Sequence, residues 1–192
     1  MLRLLFACAF VFVCGFATAA DRCFPPPTLN YRVRVPARLT YKIVGGGWTD
    51  EQKECVADAF WTWNTALRQA GRRIQFRQIA TDTAQIIVLR ASLSAKVGGG
   101  LIDTTVDADG YFKGTGLAVT SFTANVSSCA TIYKVVLHEI GHVLGLDDVV
   151  YNTVFSDRPV PSVMNAMGGT DDDREFIPPY PTSCDVAAIP YP

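Results

Sequence analysis

His138 and His142 are the only histidines in the chain, and Glu139 follows the first of them directly. On a helix, residues i and i+4 lie on one face, so both imidazoles can meet a single ion. Glu139 can then reach a water on that ion without binding the ion itself. His138-Glu139-Ile140-Gly141-His142 has the form in which two imidazoles hold zinc and a carboxylate serves as general base. Gly145 can end such a helix in a left-handed residue and turn the chain back sharply. Asp148, three residues on, can be brought round as a third ligand, with Asp147 as the alternative. Zinc held by two imidazoles and one carboxylate keeps a position open for water and acidifies that water, while Glu139 takes its proton. The chemistry to expect is hydrolysis.

Several elements must position these residues. A helix is predicted from around Ser127-Ser128 through the motif to Leu144. A second helix has clear punctuation: Thr49 can cap it, Gln52 completes a capping box, and Gly71 stops it. Val56, Ala59, Phe60, Trp63, Leu67 and Ala70 recur at helical spacing and form one apolar face. The aromatic run Phe60, Trp61 and Trp63 is read as core packing and not as a ligand surface. Strands are predicted at Leu39–Val44, Ile74–Ile79, Ala84–Leu89 and Leu117–Phe122. The order strand, helix, strand, strand implies a crossover helix packed on a mixed sheet.

The stretch from Gly98 to about Gly116 reads as a long loop. Its Asp103, Asp107 and Asp109-Gly110 give the oxygen-rich spacing that can bind Ca2+, although a solvated acidic turn is the commoner meaning. The chain has 192 residues, which suits one domain, and a formal net charge of −1. That charge argues against nucleic acid or a polybasic membrane surface as partner.

Residues 1–20 have the form of a secretory signal: Arg3, an apolar run from Leu4 to Phe16, then Ala17-Thr18-Ala19. A secreted product, extracellular or periplasmic, is expected, with no stable membrane insertion after signal removal. Cys8 and Cys14 would leave with the signal. Cys23, Cys55, Cys129 and Cys184 then form an even set, and two disulfides are expected with the pairing open. Residues 21–38 read as a proline-rich, extended N-terminal arm, and 39–192 as the functional domain. Asn125-Val126-Ser127 is a glycosylation acceptor by pattern.

The chain resembles metzincin zinc endopeptidases, closest in layout to the matrixin catalytic domain. The likeness spans roughly residues 37–189. It rests on Leu39-Thr40-Tyr41-Lys42-Ile43, Ala59-Phe60-x-x-Trp63, Ala84-Gln85-Ile86, the extended histidine motif, and Ser162-Val163-Met164. The third ligand departs from the usual His, and Asp148 in that place is similar to snapalysin-like enzymes. The resemblance implies an α+β fold: a twisted, mixed five-stranded sheet with a backing helix, an active-site helix and a short C-terminal helix. It implies Met164 as the Met-turn residue flooring the metal ligands, and Asp185 as a hydrogen-bonding residue near that turn. It implies a monomer acting on a protein or peptide substrate. An edge strand over Leu117, Ala118 and Val119 would pair with that substrate, and residues 165–180 would wall the adjoining pocket. The competing function is a non-catalytic, zinc-stabilised binding or adhesion protein on the same scaffold.

Overall fold

The computed structural model describes residues 25–91, 99–120, 128–149, 162–165 and 178–190. Its elements run β1 (Ala37–Val44), α1 (Asp50–Gln69), β2 (Ile74–Gln78), β3 (Ile86–Ala91), β4 (Gly99–Val106), β5 (Phe112–Thr120), α2 (Cys129–Val143) and α3 (Ser183–Ala188). The strands form one mixed sheet in the order β2-β1-β3-β5-β4. All neighbours are parallel except β4, which is antiparallel to β5. The fold is α+β, with five strands as expected. No helix among the described residues is long and apolar enough to cross a membrane.

Helix α1 begins where its capping residues require. The Thr49 side chain accepts from the Gln52 backbone N–H at 3.2 Å, and the Gln52 side chain accepts from the Thr49 N–H at 3.1 Å. This reciprocal box satisfies two donors that a helix start otherwise leaves bare. Its apolar face buries Val56, Ala59, Phe60, Trp63 and Leu67. Phe60 stacks on Tyr41 of β1 at 3.7 Å and meets Phe76 of β2 edge-on at 5.3 Å. Each such buried aromatic contributes roughly 1.5–3 kcal/mol. Trp61 departs from the expectation: it points away from the core and is 63% exposed.

Helices α1 and α2 pack together, with α2 also lying against β4 and β5. Trp63 ties the helix pair by donating from Nε1 to the Leu137 carbonyl at 2.7 Å. The Cys55–Cys129 disulfide joins α1 to the first turn of α2. Cys184 is also disulfide-bonded.

Two expectations about the sheet are overturned. The stretch 98–116 is not a long loop, because β4 and the start of β5 form a hairpin there. Glycines and a left-handed Asp103 (φ 52°) disguise it, and the ladder shifts register between Ile102 and Thr105. In consequence β5 is not an edge strand. It is bonded to β3 on one side and to β4 on the other, and Leu117, Ala118 and Val119 are 0%, 1% and 3% exposed. These three residues have no free backbone with which to take an extended peptide. Among the described residues β4 and β2 are the edges.

The Ca2+ expectation is not supported either. Asp107 Oδ1 accepts the backbone N–H groups of Asp109 and Tyr111 at 3.0 and 2.9 Å, and its Oδ2 pairs with Arg34 at 2.9 Å. The acidic cluster is a turn closed on itself. The signal at 1–20, Cys23, Asn125 and most of the 165–180 wall lie outside the described residues.

Candidate metal centre

Ser128 caps α2, accepting from the Thr131 N–H. The helix ends as Gly145 predicts. Gly145 has φ +90°, its N–H donates to His142 O at 2.8 Å, and the Leu146 N–H donates to Gly141 O at 3.0 Å. This pair of bonds is a Schellman ending. A side chain at Gly145 would also sit 2.8 Å from the Tyr31 carbonyl.

Beyond this turn Asp148 comes back to the helix. Its Oδ1 lies 3.1 Å from His138 Nε2 and 3.5 Å from His142 Nε2. Among the described residues, His138, His142 and Asp148 are the one cluster of at least three potential ligand side chains, with donor atoms within 4.8 Å of one another. Donors about 2.1 Å from a tetrahedral zinc stand about 3.4 Å apart; the two separations to Asp148 bracket that figure, while the two histidine donors stand wider, within 4.8 Å.

The remaining ring nitrogens decide what those donor atoms carry. His138 Nδ1 lies 2.8 Å from the Val163 carbonyl, and His142 Nδ1 lies 2.9 Å from the Leu146 carbonyl. A carbonyl can only accept, so both Nδ1 atoms bear a proton, and in the neutral rings each Nε2 presents a lone pair. Asp148 Oδ1 is buried and makes no well-aligned hydrogen bond despite its closeness to His138. With both rings neutral, lone pairs from two nitrogens and one oxygen face each other, an arrangement that repels unless a proton or a metal ion stands among them. The donor set fits zinc.

Burial opposes a charge on His138, yet Asp148 and Glu139 nearby pull its pKa above the usual value. His142 is held below it by burial and by His138. Asp148 is lowered by its contact with His138. Burial pushes the Glu139 carboxyl up to about 7. Glu139 Oε2 is buried and unpartnered.

Met164 is fully buried against α2, with its sulfur where a Gly141 side chain would have to go. Its carbonyl accepts from the Val149 N–H at 2.7 Å, which ties the turn to the Asp148 segment. Asp185 holds the turn from behind. It accepts from Ser162 Oγ at 2.5 Å, Val163 N at 3.3 Å and Thr182 N at 2.7 Å.

Sequence reasoning missed the N-terminal arm's part in this site. The Leu29 N–H donates to Gly145 O at 2.8 Å, and the Asp147 N–H donates to Pro27 O at 2.7 Å. The Tyr31 hydroxyl donates to the His142 carbonyl at 2.5 Å. The proline run suggested an irregular segment, and no local signal betrays a partner so far along the chain.

No family model and no curated protein matches the chain. Among solved structures it is similar to two described as "Structure of myroilysin" and "Crystal structure of myroilysin". The first is 20% identical with a TM-score of 0.42, over 60% of this chain and 51% of that one. The second is 16% identical with a TM-score of 0.45, over 76% of this chain and 83% of that one. The chain thus spans about half the length of the first.

Proposed function

We propose that this chain is a secreted, zinc-dependent endopeptidase of metzincin type, in which His138, His142 and Asp148 hold the ion and Glu139 is the general base. The observation that carries the reading is the convergence of two Nε2 lone pairs and Asp148 Oδ1 beside the unpartnered Glu139 Oε2. Zinc, when bound, supplies a Lewis acid that polarises the scissile carbonyl and makes water acidic enough to lose its proton near neutrality.

The chain's own residues supply the rest. Glu139 accepts the proton of the attacking water and passes it to the leaving amine nitrogen. The Val163 and Leu146 carbonyls hold the imidazoles in the tautomer that directs Nε2 inward. Met164 fills the space below and fixes the depth of the floor. The outer edge of β4, on the strand that packs against α2, offers backbone groups with which an extended peptide can pair. That role replaces the one first expected of β5. The Cys55–Cys129 disulfide is consistent with an oxidising compartment.

Glu139→Ala tests the enzyme reading. Casein cleavage is expected to vanish while zinc content stays at one per chain, and phenanthroline should abolish cleavage by the native protein. Cleavage that survives either treatment overturns the assignment. Asp148→Ala should strip zinc and Asp147→Ala should not; the reverse pattern moves the third ligand to Asp147.

A further inference from the structure

We propose that the groove between the C-terminal half of α1 and the start of β2 binds an acidic polysaccharide, a glycan chain bearing sulfate or carboxylate groups. The groove has a volume of about 600 Å³. Trp61, Arg38, Arg68, Arg72 and Arg73 line it, and no Asp or Glu does. Arg72 is turned toward α3, donating to the Val186 and Ala187 carbonyls at 3.2 and 3.3 Å. Arg38, Arg68 and Arg73 are exposed and form no ion pair among the described residues.

Three cations elsewhere are paired, while exposed Arg32, Arg77 and Lys113 form no ion pair among the described residues; the groove differs in gathering three such arginines on one concave surface. Arg34 pairs with Asp107, Lys42 with Asp82 and Lys53 with Asp50. The formal net charge of −1 shows that the arginine cluster is no by-product of a basic chain. Concave walls focus the field of such a cluster on whatever enters. The guanidinium fork matches sulfate and carboxylate in two-point contact. Trp61 adds a flat apolar face at 63% exposure, although its neighbours Phe60 and Trp63 are buried. An indole face of this kind suits the C–H surface of a sugar ring.

The edge of β2 favours a glycan over an acidic peptide. Phe76 presents its outward backbone pair to Asn64. The Asn64 amide donates to Phe76 O at 2.9 Å, and the Phe76 N–H donates to Asn64 Oδ1 at 2.7 Å. The middle of the edge is thereby closed, and an extended peptide cannot add there as a strand. Recognition must run through guanidinium and indole. Single-stranded nucleic acid uses a similar combination of stacking and charge, and the Cys55–Cys129 disulfide, consistent with an oxidising compartment, favours the glycan over it.

The inference does not depend on the metal centre. The test titrates the full, oxidised chain with a heparin-derived oligosaccharide, polyglutamate of matched charge and a single-stranded DNA oligonucleotide, at about 0.15 M ionic strength. The oligosaccharide should bind tightest. The triple variant Arg38→Ser, Arg68→Ser, Arg73→Ser should bind it at least about tenfold more weakly. Trp61→Ala should weaken the oligosaccharide and leave polyglutamate unchanged. Lys53→Ser, outside the groove, should change neither. All these side chains are exposed, so thermal unfolding should match the native protein. Polyglutamate or DNA binding as tightly as the oligosaccharide, no binding at all, or variants that bind it at native strength would each overturn the proposal.

Discussion

The Tyr31 hydroxyl donates a 2.5 Å hydrogen bond to the carbonyl of His142. A residue of the N-terminal arm thereby fastens the last turn of the helix that bears both imidazoles. Tyr31→Phe removes only this donor. Zinc affinity, read by competition with a chromophoric chelator, should fall by about tenfold, the lower end of losses seen when partners of metal ligands are changed. Unchanged affinity would show that the arm only packs.

Gly141 and Met164 share one space. Gly141→Ala puts a methyl group into the Met164 sulfur, and overpacking of this kind costs about 1–3 kcal/mol. Denaturant unfolding should show that loss. Met164→Ala placed on the same background should restore part of it, because the shorter side chain vacates the contested volume. Strictly additive effects would contradict the contact.

The Cys55–Cys129 crosslink closes a span of 74 residues. The chain-entropy relation gives about 4 kcal/mol for a loop of this length. Cys55→Ser with Cys129→Ser should therefore lower the unfolding temperature markedly, and reductant should have little further effect through this pair.

Glu139 makes the metal-free protein sensitive to pH. Burial raises its carboxyl from 4.5 to about 7, so between those values the folded state holds a proton that the unfolded state has lost. Stability from this group is present below the unfolded value and is lost as pH rises through the folded one. Glu139→Gln should stabilise the metal-free chain by up to about 3 kcal/mol at pH about 8 and by almost nothing at pH about 4. Equal melting curves at both values would refute it.

What can be read from residues alone follows how local the signal is. The start of α1 is legible because Thr49 and Gln52 stand three apart and complete each other. The metal-site helix is legible because His138, Glu139, His142 and Gly145 lie within two turns. Strand β4 is obscured by its opening glycines, by left-handed Asp103 and by a ladder that slips register, features that on their own spell a loop. Misreading β4 also misplaced β5 at the edge. Trp61 belongs to an aromatic run whose other members are buried, and composition could not single it out. The arm's role rests on backbone pairing between Pro27–Leu29 and Gly145–Asp147, which leaves no periodicity to detect.

The centre draws on Tyr31, on His138 to Asp148, on Ser162 to Met164 and on Asp185, pieces scattered over most of the polypeptide. Synthesis delivers them from the N-terminus onward, and pairings this distant close late in folding. A nascent chain still threaded through the ribosome has its tyrosine clasp but nothing to fasten it to, and its imidazoles emerge before the turn that must brace them. The centre can close only once the stretch bearing Asp185 has emerged, so its assembly follows the synthesis of every one of these pieces.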